Sequence, residues 1–385
     1  MKHLHFRPWL IALLALLSSS LRLSAQDGAS AAARARLSHL RHGVNASEWF
    51  AQVYDGRGYT AEHFANWTTP EDIALIAAMG FDHVRISVNP QPMFRSGHAD
   101  ELPADYLAYL DTAVSTVLAH HLAVVIDLHP ESDFKSKLAS NDAFVEQFAD
   151  FWRSLARHYS RFDPERVFFE VLNEPEIHDR YRWSGIQAKL AAAIREGAPE
   201  HTIVATGALY SADDELVALE PLADRNVIYA FHFYEPHIFT HQGATWGVNF
   251  WHWERMLGYP SSPESAQKVA AQVPDRVNRL YVLRYGMEHW DAARIDMEIG
   301  QVAEWAKHWN VAVVCDEFGV YAKYADPADR LRWLRDVRSA FERYGMGWTV
   351  WDYSGAFGVV GKAGGRATAD AGSLQALGLH VPAAP

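Results

Sequence analysis

Two glutamates each close an apolar run. Glu174 ends Val167-Phe-Phe-Glu-Val-Leu-Asn-Glu174-Pro175, and Glu317 ends Val311-Ala-Val-Val-Cys-Asp-Glu317-Phe-Gly319. A strand that is apolar until its last residues and then turns acidic sets a carboxylate at the mouth of a sheet. Two such carboxylates on different strands suit acid/base cleavage of a glycosidic bond. In the retaining form of that reaction one carboxylic acid protonates the leaving oxygen while a carboxylate ~5 Å away attacks the anomeric carbon. Glu174 is assigned the acid/base role and Glu317 the nucleophile. The two must differ in protonation near neutral pH, so their surroundings must differ. The expectation is that the charge of Glu317 raises the pKa of Glu174, while Arg85 and Tyr234 align Glu317 and keep it ionised.

The elements that would carry these groups recur along the chain. Strand candidates are His42–Ser47, His83–Val88, Ala123–His129, Val167–Asn173, Thr202–Thr206, Val227–Tyr234, Val311–Glu317 and Gly347–Tyr353. Between most of them the apolar residues follow helical spacing and the ends carry caps. Thr69-Pro70-Glu71-Asp72 opens one helix and Gly80 closes it; Asp326-Pro327 opens another. Eight strand/helix units predict a single-domain (β/α)₈ barrel, with chemistry at the C-terminal ends of the strands. A doubly wound open sheet is the alternative, but no Gly-rich phosphate loop follows the first strand.

Alternation then sorts the side chains. Arg85 and Ser87 share one face of the second strand, and Val84, Ile86 and Val88 the other. His129 opposes Val124, Ile126 and Leu128, while His232 and Tyr234 alternate with Phe231 and Phe233. The polar set would face the barrel axis and converge on one mouth. Asn173 is a candidate for the sugar 2-hydroxyl. It reaches the site together with Glu174 only if the strand ends or bulges there.

Composition narrows the partners. The 385 residues include 14 Trp, 16 Tyr and 19 Phe, and the net charge is −12. That balance argues against nucleic acid; a neutral glycan needs no charge match. No HExxH or Cys/His cluster occurs, so neither a catalytic metal nor a cofactor is expected. Cys315 is the only cysteine, which rules out an intrachain disulfide. Lys2 and Arg7 before the apolar Trp9–Leu17 read as a signal peptide over residues 1–25, with cleavage after Ala25. Residues 26–38 read as a mobile lead-in, and 39–385 as one catalytic domain. The protein is then expected to be secreted or periplasmic and monomeric, with no membrane contact beyond the leader.

The ordered motifs resemble glycoside hydrolase family 5. They are Arg41-His-Gly-Val-Asn45, Arg85, Asp127-Leu-His129, Leu172-Asn-Glu-Pro175, His232-Phe-Tyr234, Glu317-Phe-Gly319 and Trp351. The resemblance runs from about Arg41 to Phe357. It implies a retaining (β/α)₈ β-glycanase with its catalytic acids on strands four and seven. It also implies that Trp351 forms the platform under the sugar, with His129 and His232 bonding its hydroxyls or the acids. Asn45 joins the substrate-binding set, and Trp49, just after the first strand, is a further cleft candidate. The aromatics of His237–Pro260 (Phe239, Trp246, Phe250, Trp251 and Trp253) read equally as a cleft wall or as a satellite apolar cluster. An endo-acting β-1,4-glucanase is the leading expectation. Hydrolysis of β-mannan, xyloglucan or β-1,3/1,6-glucan, exo action, and a non-catalytic glycan-binding barrel are the alternatives.

Overall fold

A computed structural model describes residues 28–382. The strands are β1 (His42–Phe50), β2 (His83–Val88), β3 (Ala123–Leu128), β4 (Val167–Glu170), β5 (Thr202–Thr206), β6 (Val227–Phe233), β7 (Ala312–Phe318) and β8 (Gly347–Val350). All pair in parallel and in chain order, and β8 closes on β1. The expected (β/α)₈ barrel is therefore the fold. A short antiparallel hairpin, β9 (Val360–Ala363) with β10 (Arg366–Ala369), follows it.

Helix ends obey their local chemistry. Thr69 and Asp72 form a reciprocal capping box around Pro70, and the helix Pro70–Met79 stops at Gly80, which takes φ +93°. That left-handed conformation costs glycine little and other residues more. Each strand sends one face outward to the helices. Val84, Ile86, Val124, Ile126, Phe231 and Phe233 lie in the main apolar layer with Phe148, Phe151, Trp152 and Leu155 of the helix Asp142–Tyr159. The inward faces of Ala123, Val125, Phe168, Val204, Ile228, Ala230, Ala312 and Val314 fill the lower barrel.

Residues 28–38, read from sequence as part of a mobile lead-in, are instead built onto the barrel floor. The helix Ala31–Arg36 packs Ala33 against the interior cluster. The 5%-exposed Arg36 donates to Glu165 at 2.9 Å, to the Glu200 carbonyl at 2.6 Å and to Thr202 at 3.0 Å. An alanine-rich, strandless stretch carries little signal of its own. What orders it is a buried guanidinium whose partners lie more than a hundred residues away. The signal-peptide reading over residues 1–25 lies outside the described residues.

Three buried tryptophans hold the opposite end. The indole N–H of Trp152 donates to the Val171 carbonyl at 2.9 Å, Trp183 to Thr206 at 2.9 Å and Trp333 to Glu235 at 3.1 Å. These carbonyls lie at or just beyond the ends of β4, β5 and β6, where the chain leaves the sheet ladder and its polar groups need other partners. Helices thereby fix the strand ends that present the polar side chains.

Candidate active site

Arg85 stands at the centre of the barrel mouth with no exposed surface. Its Nε and Nη2 grip Glu170 in two 2.7 Å bonds, and Nη1 donates to Glu317 at 2.6 Å and to Asn45 at 2.9 Å. Nη2 also donates to Asn173 at 2.9 Å and lies 3.1 Å from Asp127. A buried guanidinium is tolerable only when its donors are matched in this way. Arg85→Met should therefore destabilise the fold by about 3–5 kcal/mol, because Glu170 and Asp127 lose their counter-charge inside the barrel. Burial already pushes both carboxyls up. Without Arg85 they rise further, so the deficit should shrink as pH falls and they take up protons. Denaturant unfolding of both proteins at neutral and mildly acidic pH checks this.

Glu317 reaches the axis through a bulge. On the β8 side Cys315 pairs with Trp348 and Phe318 with Val350, so three steps along β7 span two along β8. Asp316 and Glu317 consequently both reach the polar centre around Arg85, while Cys315 and Phe318 stay in the outer layer. The second oxygen of Glu317 accepts from the Tyr234 hydroxyl at 3.0 Å. Burial, then the charges of Glu317 and Glu174, push that hydroxyl well above its usual range, so it remains a donor.

Strand β4 stops at Glu170, earlier than the sequence suggests, and Glu174 sits beyond it with φ +42°. The early end allows Asn173 and Glu174 to approach the site together. Glu174 Oε1 lies 3.0 Å from His232 Nδ1, which is also 3.4 Å from Glu317. One oxygen from each glutamate and one ring nitrogen of His232 all fall within 4.8 Å of one another. That matches the ~5 Å carboxylate spacing of retaining rather than inverting glycosidases.

The electrostatics overturn one expectation. Burial does push the Glu174 carboxyl up. The hydrogen bond and charge of His232, with the charge of Lys135, outweigh it and hold the carboxyl at about 2. Burial pulls His232 down, but Glu317, the bond to Glu174 and Asp316 lift it to about 9. The pair thus shares one proton, resting on the imidazole, and its titration belongs to both groups. A raised histidine stabilises the fold fully below about pH 6.5 and loses that contribution as pH rises through about 9. The kcat/KM profile, which reports the free enzyme, should show its alkaline limb near pH 9. His232→Asn should move that limb toward acid, because the proton then depends on Glu174 alone.

His129 is held at about 4, chiefly by burial, and is neutral. Its Nδ1–H donates to Asp127 at 3.0 Å, and Nε2 accepts from the Asn173 amide at 3.0 Å. The ring stacks near Trp351, with centroids 6.0 Å apart. His129, Glu174, His232, Tyr234, Glu317 and Trp351 line a cleft of about 1310 Å³. Arg85, Asn45 and Asn173 are fully buried and lie behind that lining. Asn45 braces Arg85 and donates to the carbonyls of Asp316 at 3.0 Å and Val350 at 3.2 Å.

Trp49 does not line the cleft. It is 5% exposed, packs on Phe50, and donates to the Phe64 carbonyl at 2.8 Å. The β1–β2 register breaks between Ala46 and Phe50, and within that break Glu48 joins Ser47 on the cleft wall instead. The aromatic segment after β6 divides between its two readings. Trp246, Phe250 and Trp251 line the cleft, while Phe239 is buried against Tyr259 at 5.5 Å.

Sequence reasoning missed Glu170, Asp316 and Tyr210. Glu170 was findable, being an acid on an inward position of an apolar strand, the same rule that selects Arg85. Tyr210 gives no such signal. It is 54% exposed on the cleft, in a run of three left-handed residues, Leu209 to Ser211, whose Tyr210 N–H donates to the Pro175 carbonyl at 3.1 Å.

A (β/α)₈ barrel with two carboxylates at the ends of strands four and seven, spaced for displacement at an anomeric carbon, defines a glycoside hydrolase. The chain belongs to the cellulase family, glycosyl hydrolase family 5, whose model matches residues 46–357. Endoglucanase C of Acetivibrio thermocellus is 30% identical over 320 residues, covering 82% of this chain and 91% of that protein. Cellodextrinase A of Ruminococcus flavefaciens is 28% identical over 314 residues, covering 79% and 82%. The crystal structure of endoglucanase Cel5A from Thermotoga maritima superposes with a TM-score of 0.72 at 24% identity, covering 90% of this chain and 99% of that one.

Proposed function

We propose that the protein is a retaining endo-β-1,4-glucanase. The observation that carries the reading is the placement of Glu174, His232 and Glu317 within 4.8 Å of one another on the wall of a large cleft. Trp351 is the platform for the sugar at the cleavage point. Glu317, aligned by Arg85 and Tyr234, attacks the anomeric carbon from one side. Glu174 passes the proton it shares with His232 to the departing oxygen, and the C–O bond breaks as the glycosyl–Glu317 ester forms. In the second step Glu174, now ionised, takes a proton from water. That water attacks the anomeric carbon and releases Glu317 with the original β-configuration. His129 orients sugar hydroxyls, and Tyr210, which lines the same cleft as Trp351, offers a ring to the leaving saccharide.

A second reading, action on short oligosaccharides, is favoured by the aromatic wall of Trp246, Phe250 and Trp251 and by the likeness to a cellodextrinase. The chain carries no helix long and apolar enough to cross a membrane among the described residues. The reading of residues 1–25 as a leader supports export of a monomer beginning at Gln26, which N-terminal sequencing of the exported protein tests.

The deciding assay is reducing-sugar release from carboxymethylcellulose, mixed-linkage β-glucan, glucomannan, xyloglucan and a β-1,3-glucan, with viscosity followed in parallel. Release from the first two with an early fall in viscosity supports the endoglucanase. Release without that fall favours the oligosaccharide reading. Activity confined to another polymer replaces the substrate, and silence across the panel overturns both readings.

A further inference from the structure

Asp316 takes no part in the displacement described above, yet it is buried in the middle of the site. The bulge in β7 brings its side chain toward the same centre as Glu317. It is 4% exposed, and neither carboxyl oxygen has a hydrogen-bond partner. Its closest charged neighbours are His232 Nε2 at 3.4 Å and Arg85 Nε at 3.9 Å. The Nε2 atom of His232 is itself without a hydrogen-bond partner. Leaving two such groups unmatched in an interior is costly, and each is the other's nearest complement. Arg85 already spends Nε on Glu170 at 2.7 Å.

We propose that Asp316 is a positioning residue that holds the Nε2–H of His232, so that the proton on Nδ1 is the one delivered to Glu174. The inference rests on Glu174 being the acid. In the transfer the His232 Nδ1–H bond breaks and a Glu174 Oε1–H bond forms across 3.0 Å. The imidazolium becomes a neutral imidazole that keeps its hydrogen on Nε2, against Asp316. Glu174 becomes a neutral acid, and its O–H bond breaks in turn as the glycosidic oxygen takes the proton. Without an acceptor at Nε2, the neutral ring is free to keep its hydrogen on Nδ1, and Glu174 is not supplied. Burial and then the charge of Glu170 push the Asp316 carboxyl well above its usual range, so the role rests on its oxygen accepting the Nε2–H, as the aspartate oxygen that fixes a histidine tautomer does in serine proteases.

The groups around His232 allow this division. Glu174 and Glu317 face Nδ1, and Asp316 faces Nε2. Asp127, Glu170 and Arg85 lie deeper in the barrel and act on the site through their charges. The Tyr234 ring stands edge-on, with centroids 6.4 Å apart. Asp316 is the only acid near Nε2 among these.

The test compares Asp316→Asn and Asp316→Ala with the unaltered enzyme on cellotetraose and on dinitrophenyl β-cellobioside, whose leaving group needs no proton. Expected is a fall of about 10- to 100-fold in kcat/KM on cellotetraose, with the aryl substrate changed by less than about twofold. The alkaline limb on cellotetraose should move toward acid, and the His232 ring ¹⁵N resonances should report a shift toward the Nδ1–H tautomer. Retained aryl activity shows that the variants fold. Equal losses on both substrates, or no loss on either, overturn the proposal. Glu174→Ala is run beside them. If it too shows no dependence on the leaving group, the acid assignment fails and takes the proposal with it.

Discussion

Glu317→Gln is expected to lower kcat on cello-oligosaccharides by at least about 10⁴-fold while leaving their binding within a few-fold, because a group that forms the covalent bond has no substitute in the site. Glutamine keeps the shape of glutamate, and its carbonyl can still accept from Arg85 or Tyr234. What it lacks is the second oxygen and the charge. Glu174, whose oxygen lies within 4.8 Å of Glu317, is on the leaving-group side and cannot attack from the opposite one. Arg85 retains Glu170, so the interior does not gain an unpaired cation. The measurement is turnover of cellotetraose together with calorimetric binding of the same sugar. Near-normal turnover would sink the nucleophile assignment. Loss of binding in parallel with turnover would mean that the variant had lost its site rather than its chemistry.

Alternation made much of this site legible before any coordinates. It placed Arg85, His129, His232 and Tyr234 on one side of their strands and the aliphatic residues on the other, and the barrel keeps that division. The rule holds where the strand is regular, because successive side chains must point to opposite faces. It fails where the ladder slips. Following the first strand, Trp49 is expected in the cleft, but the register break after Ala46 sends it into the helix-side apolar layer and gives Glu48 the wall. Asp316 escapes the same rule, since a regular strand would put adjacent residues on opposite faces. A bulge is a property of two strands at once, and one strand's sequence does not announce it.

The protonation of Glu174 departs from expectation for a different reason. The sequence points to Glu317 as the nearest charge, which would raise the pKa. In space the closer group is His232, contributed by β6 and in contact with both glutamates. Which of two effects wins depends on distances of 3.0 and 3.4 Å between segments 58 and 85 residues apart, and no spacing in the chain encodes that. The helix Ala31–Arg36 illustrates the same limit in stability terms. Its composition suggests disorder, and its order comes from the contacts of Ala33 and Arg36 with the barrel floor.

Glu174→Ala separates the acid role from every other. On unactivated cello-oligosaccharides kcat/KM should fall by about 10²- to 10⁴-fold, the usual range for a lost general acid. On dinitrophenyl β-cellobioside the first step needs no proton, so kcat/KM should be nearly unchanged. The second step still needs a base to activate water, so the glycosyl–Glu317 ester should accumulate and show as a burst. Azide should relieve that block. It is already anionic, needs no deprotonation, and fits the space the carboxylate leaves. Attack by azide on the ester is a second inversion at the same carbon, so the product should be the β-glycosyl azide. An α-azide would show that only one displacement had occurred and that the enzyme inverts. Absence of any rescue, with equal losses on both substrates, would remove Glu174 from the proton transfer altogether.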